Sequence, residues 1–332
     1  MNGEKVGLWH AGGQNGHPFI YEDSWRQSEH ARPISLSMPL RVSREPYRKG
    51  VEAFFDNLLP DNRSIRERIQ HRYRTRSARA FDLLAEIGRD CVGALQLLPE
   101  EAEPAGIRSI HGQRLSRKQV ADELSRCLGQ ASAAPGQDDE FRISLAGAQE
   151  KTALLWHDGA WHRPTGATPT THILKLPIGP APMGINLSTS VENEWLCGRI
   201  LSAFGIPVAD SRMERFGEYR VLVIERFDRR PAQDRSWWMR LPQEDLCQAT
   251  ATPPACKYES DGGPGILPIM ELLRGSNQPI ADREDFLRTQ LVFWLLAAID
   301  GHAKNMGLPV APLSGFPWVI SPDEADIQHP SR

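Results

Sequence analysis

Asp300-Gly-His-Ala-Lys-Asn305 is the stretch on which the reading of this chain turns. It follows an apolar segment, 282–298, whose spacing predicts one continuous helix capped by Asp282. In phosphoryl transfer an aspartate so placed accepts or orients the substrate hydroxyl, and an asparagine five positions on holds Mg²⁺. His302 and Lys304 fall between them, next to where phosphates would lie. Alone, the six residues are equally a helix end followed by a polar turn, so the weight shifts to what precedes them.

Upstream, Tyr219-Arg-Val-Leu-Val-Ile-Glu225 reads as a buried strand that runs into Arg226-Phe-Asp228. In a two-lobed phosphotransferase that strand end presents backbone groups to adenine, although many strands end in charge. Before it, residues 190–204 form a predicted helix with Ser190 as N-cap and Gly205-Ile-Pro207 as its stop. The strand Thr171-His-Ile-Leu-Lys-Leu176 carries Lys175 among apolar residues, where an ammonium needs a partner. Glu192 and Glu194 on the following helix offer one, as in kinases; the plainer reading is an edge-strand lysine. Lys151-Thr-Ala-Leu-Leu-Trp156, Asp158-Gly159 and Ala160-Trp-His162 spell a β-hairpin. Just before it, Ser144-Leu-Ala-Gly-Ala-Gln-Glu-Lys151 is a small-residue turn ending in a lysine, suited to phosphates but not a Walker A loop. Loop, strand lysine, helix glutamate, hinge strand, long helix and D-x-x-x-x-N follow one another in the order a kinase fold requires. The ten histidines form no H-E-x-x-H, and no serine sits in G-x-S-x-G.

Composition is ordinary: 332 residues, 40% hydrophobic, 24% charged and a net charge of −3, with no global field for nucleic acid or membrane. The basic stretch between Arg63 and Arg79 reads as a solvated helix surface. Five scattered cysteines without metal spacing point to reduced thiols. No apolar run reaches the roughly 18 residues of a membrane span, and no signal peptide is evident, so a cytoplasmic protein is expected.

Residues 1–100 read as a small α/β unit: strands at 6–9, 19–21 and 35–40, and helices at 51–59 and 77–87, with Asn62 capping a further helix from Arg63. Residues 101–138 hold a helix at 118–128 and a Gly/Ala/Ser/Pro linker at 129–136. Residues 139–308 form the ATP-binding and catalytic region, and 309–332 an atypical tail.

Longer strings carry a family resemblance. They include Phe54-Phe-Asp-Asn-Leu-Leu-Pro-Asp61, Phe81-Asp-Leu-Leu-Ala-Glu-Ile-Gly-Arg-Asp-Cys-Val-Gly-Ala94, Phe141-Arg-Ile-Ser144, Thr168-Pro-Thr-Thr-His172, Glu225-Arg-Phe-Asp-Arg-Arg230, Arg240-Leu-Pro-Gln-Glu-Asp-Leu-Cys-Gln248 and Lys257-Tyr-Glu-Ser-Asp-Gly-Gly-Pro-Gly265. From residue 5 to about 307 the chain resembles HipA, the serine/threonine kinase toxins of bacterial HipBA toxin–antitoxin modules. The resemblance implies an α+β, two-lobed protein-kinase-like fold with an N-terminal α/β subdomain and a shortened helical C-lobe. It implies Asp300 as catalytic residue and Ser144 as autophosphorylation site. It implies ATP binding by Ala146, Gly147, Ala148, Gln149, Glu150, Lys151, Lys175, Glu225, Arg226, Phe227, His302, Ala303, Lys304 and Asn305, with Asn305 on Mg²⁺. The partners implied are a HipB-like antitoxin, a protein substrate such as glutamyl-tRNA synthetase, and operator DNA only through the antitoxin.

The family continues after H-A-K-N into a strand pair and an L-T-P-x-Y-D motif carrying a second Mg²⁺ ligand. Here Pro309-Val-Ala-Pro-Leu-Ser-Gly-Phe-Pro and the rest of the tail are expected to keep neither, and Asp323 and Asp326 stand in unconvincing contexts. A cut-short lobe would expose the apolar helix around Gln290-Leu-Val-Phe-Trp-Leu-Leu296. The rival expectation is therefore a remnant that binds nucleotide or antitoxin without transferring phosphate; a small-molecule kinase is a third.

Overall fold

The computed structural model describes residues 1–12, 16–130, 143–147, 149–180, 186–298, 300–310 and 319–320. In the N-terminal unit, β1 (Gly7–Trp9) and β2 (Phe19–Tyr21) pair antiparallel. The short helices α1 (Asp23–Gln27) and α2 (Val51–Asp56) follow, then α3 (Arg63–Tyr73) and α4 (Ala80–Ile87). Phe54, Phe55, Leu58, Leu59, Leu83, Leu84 and Ile87 fill its core. Asn62 caps α3 by accepting the Ser64 amide at 2.9 Å, as the sequence predicts. The expected strand at 35–40 is instead a turn: the Ser35 hydroxyl bonds the Ser37 amide, and both hydroxyls donate to the Gln248 carbonyl, which takes this backbone away from any ladder. The helix expected over 51–59 stops at Asp56, three residues early.

A six-stranded antiparallel sheet in the order β3-β5-β4-β6-β10-β9 forms the second layer. Its strands are β3 (Gly112–Leu115), β4 (Lys151–His157), β5 (Ala160–Pro164), β6 (His172–Lys175), β9 (Ser211–Phe216) and β10 (Tyr219–Glu225). Between β4 and β5, Asp158 and Gly159 both have positive φ (47° and 69°), the geometry of a two-residue type I′ turn. A two-stranded ribbon pairs β7 (Gly179–Pro180) with β8 (Asn186–Leu187). Helix α5 (Arg117–Cys127), opened by a Ser116/Gln119 capping box, and α6 (Ser190–Ala203) pack on the sheet. Ser190 is not the N-cap of α6. That position is Thr189, and the Ser190 hydroxyl accepts the Ile178 amide instead.

The third part begins with β11 (Arg229–Pro231), paired with β12 (Trp238–Arg240). After it come β13 (Gln243–Asp245), α7 (Leu246–Ala249), α8 (Ile266–Leu273) and α9 (Pro279–Leu295). Helix α9 starts three residues before the expected cap at Asp282, because Pro279 fits the first helical turn, where no N–H is needed. Its inner face buries Phe286, Val292 and Phe293, while Leu291, Trp294 and Leu295 are exposed by 56%, 76% and 60%. The chain then enters β14 (Met306–Pro309), which pairs with β13 and with β15 (Val319–Ile320). The expectation that no strand pair follows Asn305 is thereby overturned. Asp323, Asp326 and the linker at 131–136 lie outside the described residues, as does Ala148.

Candidate active site

The centre of the sheet places a lysine beside a lysine. Lys175, near the end of β6, is register-paired with Lys151 at the start of β4. Lys175 is fully buried, and its Nζ lies 2.8 Å from Glu194 Oε1 on α6. Of the two glutamates expected as partners, Glu194 is the one that meets it; Glu192 points outward to Arg220. A buried ammonium survives only with such a partner, and β6, flanked by β4 and β10, is an interior strand of the sheet and not an edge.

Lys151 reaches back over its own loop, its Nζ 2.5 Å from the Ala146 carbonyl. Gly147 makes this possible: its φ is +101°, and a Cβ there would sit 2.4 Å from the Lys151 ammonium. The loop is docked on the N-terminal unit, since Gly147 bridges Pro60 and its carbonyl accepts the Asp61 amide at 3.1 Å. Ser144 is fully buried; its hydroxyl donates to the Leu58 carbonyl at 2.6 Å and its amide to the Asp90 carbonyl. Gln149 and Glu150 turn away from Lys175. Gln149 donates to the Leu176 carbonyl, and Glu150 pairs with Arg68 of α3, so part of the basic stretch at 63–79 serves an internal contact.

Leu145, Ala146, Lys151, Ile173, Phe227 and Lys304 line one cleft, together with Asp245 and Gln248. At the hinge, the Glu225 and Arg226 amides are already used by the Asp210 and Thr171 carbonyls, and of the three residues Arg226 and Phe227 line the cleft. The Arg226 guanidinium is buried in a cluster of charges. It bonds Asp228 at 2.8 Å and shares Asp90 with Arg229 and Arg240. Burial opposes ionisation of Asp90, but the three guanidiniums outweigh it and hold its carboxyl well below the usual range.

Across the cleft, Asn305 ties the catalytic-loop candidate together by donating from Nδ2 to the Asp300 carbonyl at 2.8 Å. His302 accepts the Lys304 amide on Nδ1 and lies edge-on to the Tyr258 ring at 5.0 Å. The Tyr258 hydroxyl donates to Asp300 Oδ1, and Ala303 donates to the Lys257 carbonyl. Lys304 and Lys257 both bond Asp61 of the N-terminal unit. Burial pushes the Asp61 carboxyl up, yet the two lysines together bring it below its ordinary value. Asp245 is raised to about 7, chiefly by burial, with Lys304 opposing.

Asp61, Asp90, Asp245, Lys257 and Tyr258 were given no role from the sequence. Each stands inside a string that carries the family resemblance, but their partners lie far away along the chain and only folding brings them together. Asp300 and Asn305 suit Mg²⁺, which takes oxygen ligands from one or two side chains and the rest from phosphates and water. Among the described residues no cluster of three or more His, Cys, Asp or Glu forms a self-sufficient metal cage. The Lys151 ammonium lying over Gly147 and the apolar wall of Leu145, Ile173 and Phe227 suit a nucleotide.

Comparison with known proteins shows the family. The HipA N-terminal domain family matches residues 1–98, and the HipA-like C-terminal domain family matches residues 143–322. Y4mE of Sinorhizobium fredii is 36% identical over 295 residues, which is 87% of this chain and 67% of that protein. The serine/threonine-protein kinase toxin HipA of Shewanella oneidensis is 27% identical over 313 residues, covering 90% of this chain and 68% of the relative. A solved complex of Shewanella oneidensis HipA with HipB and operator DNA superposes with a TM-score of 0.74 over 95% of this chain and 72% of that one, at 24% identity. The chain thus spans about two thirds of the relatives it matches, and it belongs to the HipA family.

Proposed function

We propose that this protein is a HipA-type serine/threonine kinase toxin of a type II toxin–antitoxin module. It phosphorylates a component of translation such as glutamyl-tRNA synthetase and autophosphorylates on Ser144. The observation that carries the reading is the buried Lys175–Glu194 pair at 2.8 Å, on the strand next to Lys151, which lines one cleft together with Lys304 of the Asp300–Asn305 loop. A lysine–glutamate pair of this kind, with an aspartate and asparagine opposite, is the working core of protein kinases.

When bound, Mg²⁺–ATP supplies the phosphoryl group, and the metal spreads the charge that develops on it. Lys175, held by Glu194, neutralises the α- and β-phosphates. Lys151, whose Nζ now bonds the Ala146 carbonyl, would offer the same ammonium to a phosphate oxygen. Asp300, fixed through one oxygen by Tyr258, orients the substrate hydroxyl and takes up its proton. Asn305 offers its amide oxygen to the metal while Nδ2 braces the loop. Ser144 is enclosed by Leu58 and Asp90, so its phosphorylation requires the loop to withdraw from the N-terminal unit. A HipB-like antitoxin is the expected partner, with operator DNA reached only through it; the Shewanella structure is a complex of HipA, HipB and operator DNA. No described helix is long and apolar enough to cross a membrane.

Intact-mass analysis after incubation with Mg²⁺–ATP tests the reading. One added phosphate mapped to Ser144, absent from Asp300→Asn, is expected. A folded, initially unphosphorylated sample that gains no mass would refute autokinase activity and leave a nucleotide- or antitoxin-binding protein.

A further inference from the structure

Two ammonium groups on the catalytic side converge on one carboxylate that belongs to the N-terminal unit. Lys257 Nζ lies 3.1 Å from Asp61 Oδ2, and Lys304 Nζ bonds Asp61 Oδ1. All three side chains are largely enclosed, at 13%, 4% and 14% exposure. Both lysines are anchored to the catalytic-loop candidate. Lys304 sits within it, and Lys257 accepts the Ala303 amide on its carbonyl and precedes Tyr258, which bonds Asp300. Lys304 also lines the cleft together with Lys151 and Ala146.

Asp61 reaches this place because its own amide bonds the Gly147 carbonyl, on the loop that would cover the nucleotide. Asp61 is one carboxylate between two ammonium groups, with the buried Asp245 carboxyl also within electrostatic reach of Lys304. A terminal phosphate, with more charge and three acceptor oxygens, complements two ammonium groups better than a carboxylate does. A carboxylate held below its ordinary pKa by the same two lysines is itself a sign that the spot favours anions.

We propose that Lys257 and Lys304 form a site for the terminal phosphate of the nucleotide, and that Asp61 occupies it in the nucleotide-free protein. The N-terminal unit then competes with the nucleotide for the catalytic lysines, and nucleotide entry releases Asp61 from them. This rests on the kinase reading above. A simple staple between the two parts of the chain is the competing account, and the two differ in sign.

Equilibrium binding of ATP, AMP and pyrophosphate to the whole chain distinguishes them. Asp61→Asn, which keeps size but removes the charge, is expected to tighten ATP and pyrophosphate by about tenfold while changing AMP by less than about twofold. Lys257→Met is expected to weaken ATP and pyrophosphate and leave AMP alone, and in that background Asp61→Asn should change little. Asp61→Glu, which restores the charge, should return ATP affinity towards the parent value. Thermal melts establish that each variant is folded. ATP affinity that is unchanged or weaker in folded Asp61→Asn, an equal change for AMP, or failure of every form to bind ATP and pyrophosphate overturns the proposal. If the parent binds ATP in this pattern but transfers no phosphate, the kinase reading falls while the phosphate site stands.

Discussion

Two knots of charge join the N-terminal unit to the rest of the chain, and they are built on opposite principles. At the hinge, Asp90 is surrounded by Arg226, Arg229 and Arg240, with Asp228 and Thr170 completing the set, and every member is buried. The arginine forks point at fixed oxygens, and the Cys91, Gly93 and Ala167 carbonyls take up further donors. Most of the guanidinium donors there are committed to acceptors within the cluster. At the catalytic loop, Asp61 is held by lysines, which are point charges on flexible stems with no fixed bonding direction. A guanidinium cluster fixes geometry; an ammonium pair can exchange one anion for another. The first knot reads as architecture and the second as working electrostatics.

The largest effect expected from breaking this contrast is at Asp90. Asp90→Asn leaves three buried guanidiniums around a neutral group, a loss of about 3–5 kcal/mol. Chemical denaturation should show a large drop in midpoint, and a stability within error of the parent would remove the architectural role. A smaller effect is expected at Glu244, a buried carboxyl of β13 met by the Leu36 amide and the Ser35 hydroxyl instead of by arginines. Burial raises it to about 8 from an ordinary value of 4.5, the reverse of Asp90. Below about pH 4.5 both folded and unfolded chains carry the proton. Between there and about 8 only the folded chain keeps it, so stability falls as pH rises through that window. Glu244→Gln should flatten that decline in melts recorded from pH 5 to 8, and a parallel profile would show that the group does not titrate as described. The smallest effect belongs to the exposed Arg63–Glu67 pair on α3, where Arg63→Ala should cost less than about 0.5 kcal/mol by the same denaturation measurement. A larger loss there would mean that exposed charge matters to this unit as much as enclosed charge.

Much of the scaffold was legible because its signals are local. The hairpin at Asp158-Gly159, the cap at Asn62, the strand Tyr219–Glu225 and the stop at Gly205 each follow from turn chemistry or alternation within a few residues. The misses each have a cause. Hydroxyls at 35 and 37 bonded backbone across the molecule, Pro279 began a helix before the acidic residue read as its cap, and the Ser190 hydroxyl was drawn to Ile178. The order of loop, lysine, glutamate and D-x-x-x-x-N also stood in the sequence, because a kinase-like chain must present those groups in that order.

What the sequence by itself determined, then, is the family, the kinds of chemical group present and their sequence of appearance. Only the tertiary structure decided which groups meet. It chose Glu194 over Glu192 for Lys175, turned Gln149 and Glu150 away from Lys175, enclosed Ser144, and set Asp61 between Lys257 and Lys304 across 196 and 243 residues of chain. Spacing along a chain can specify a turn, a helix face or a strand face. The pairing of charges brought together from distant segments depends on how much each burial costs and which partner lies within reach, and both are settled only when the lobes close on each other.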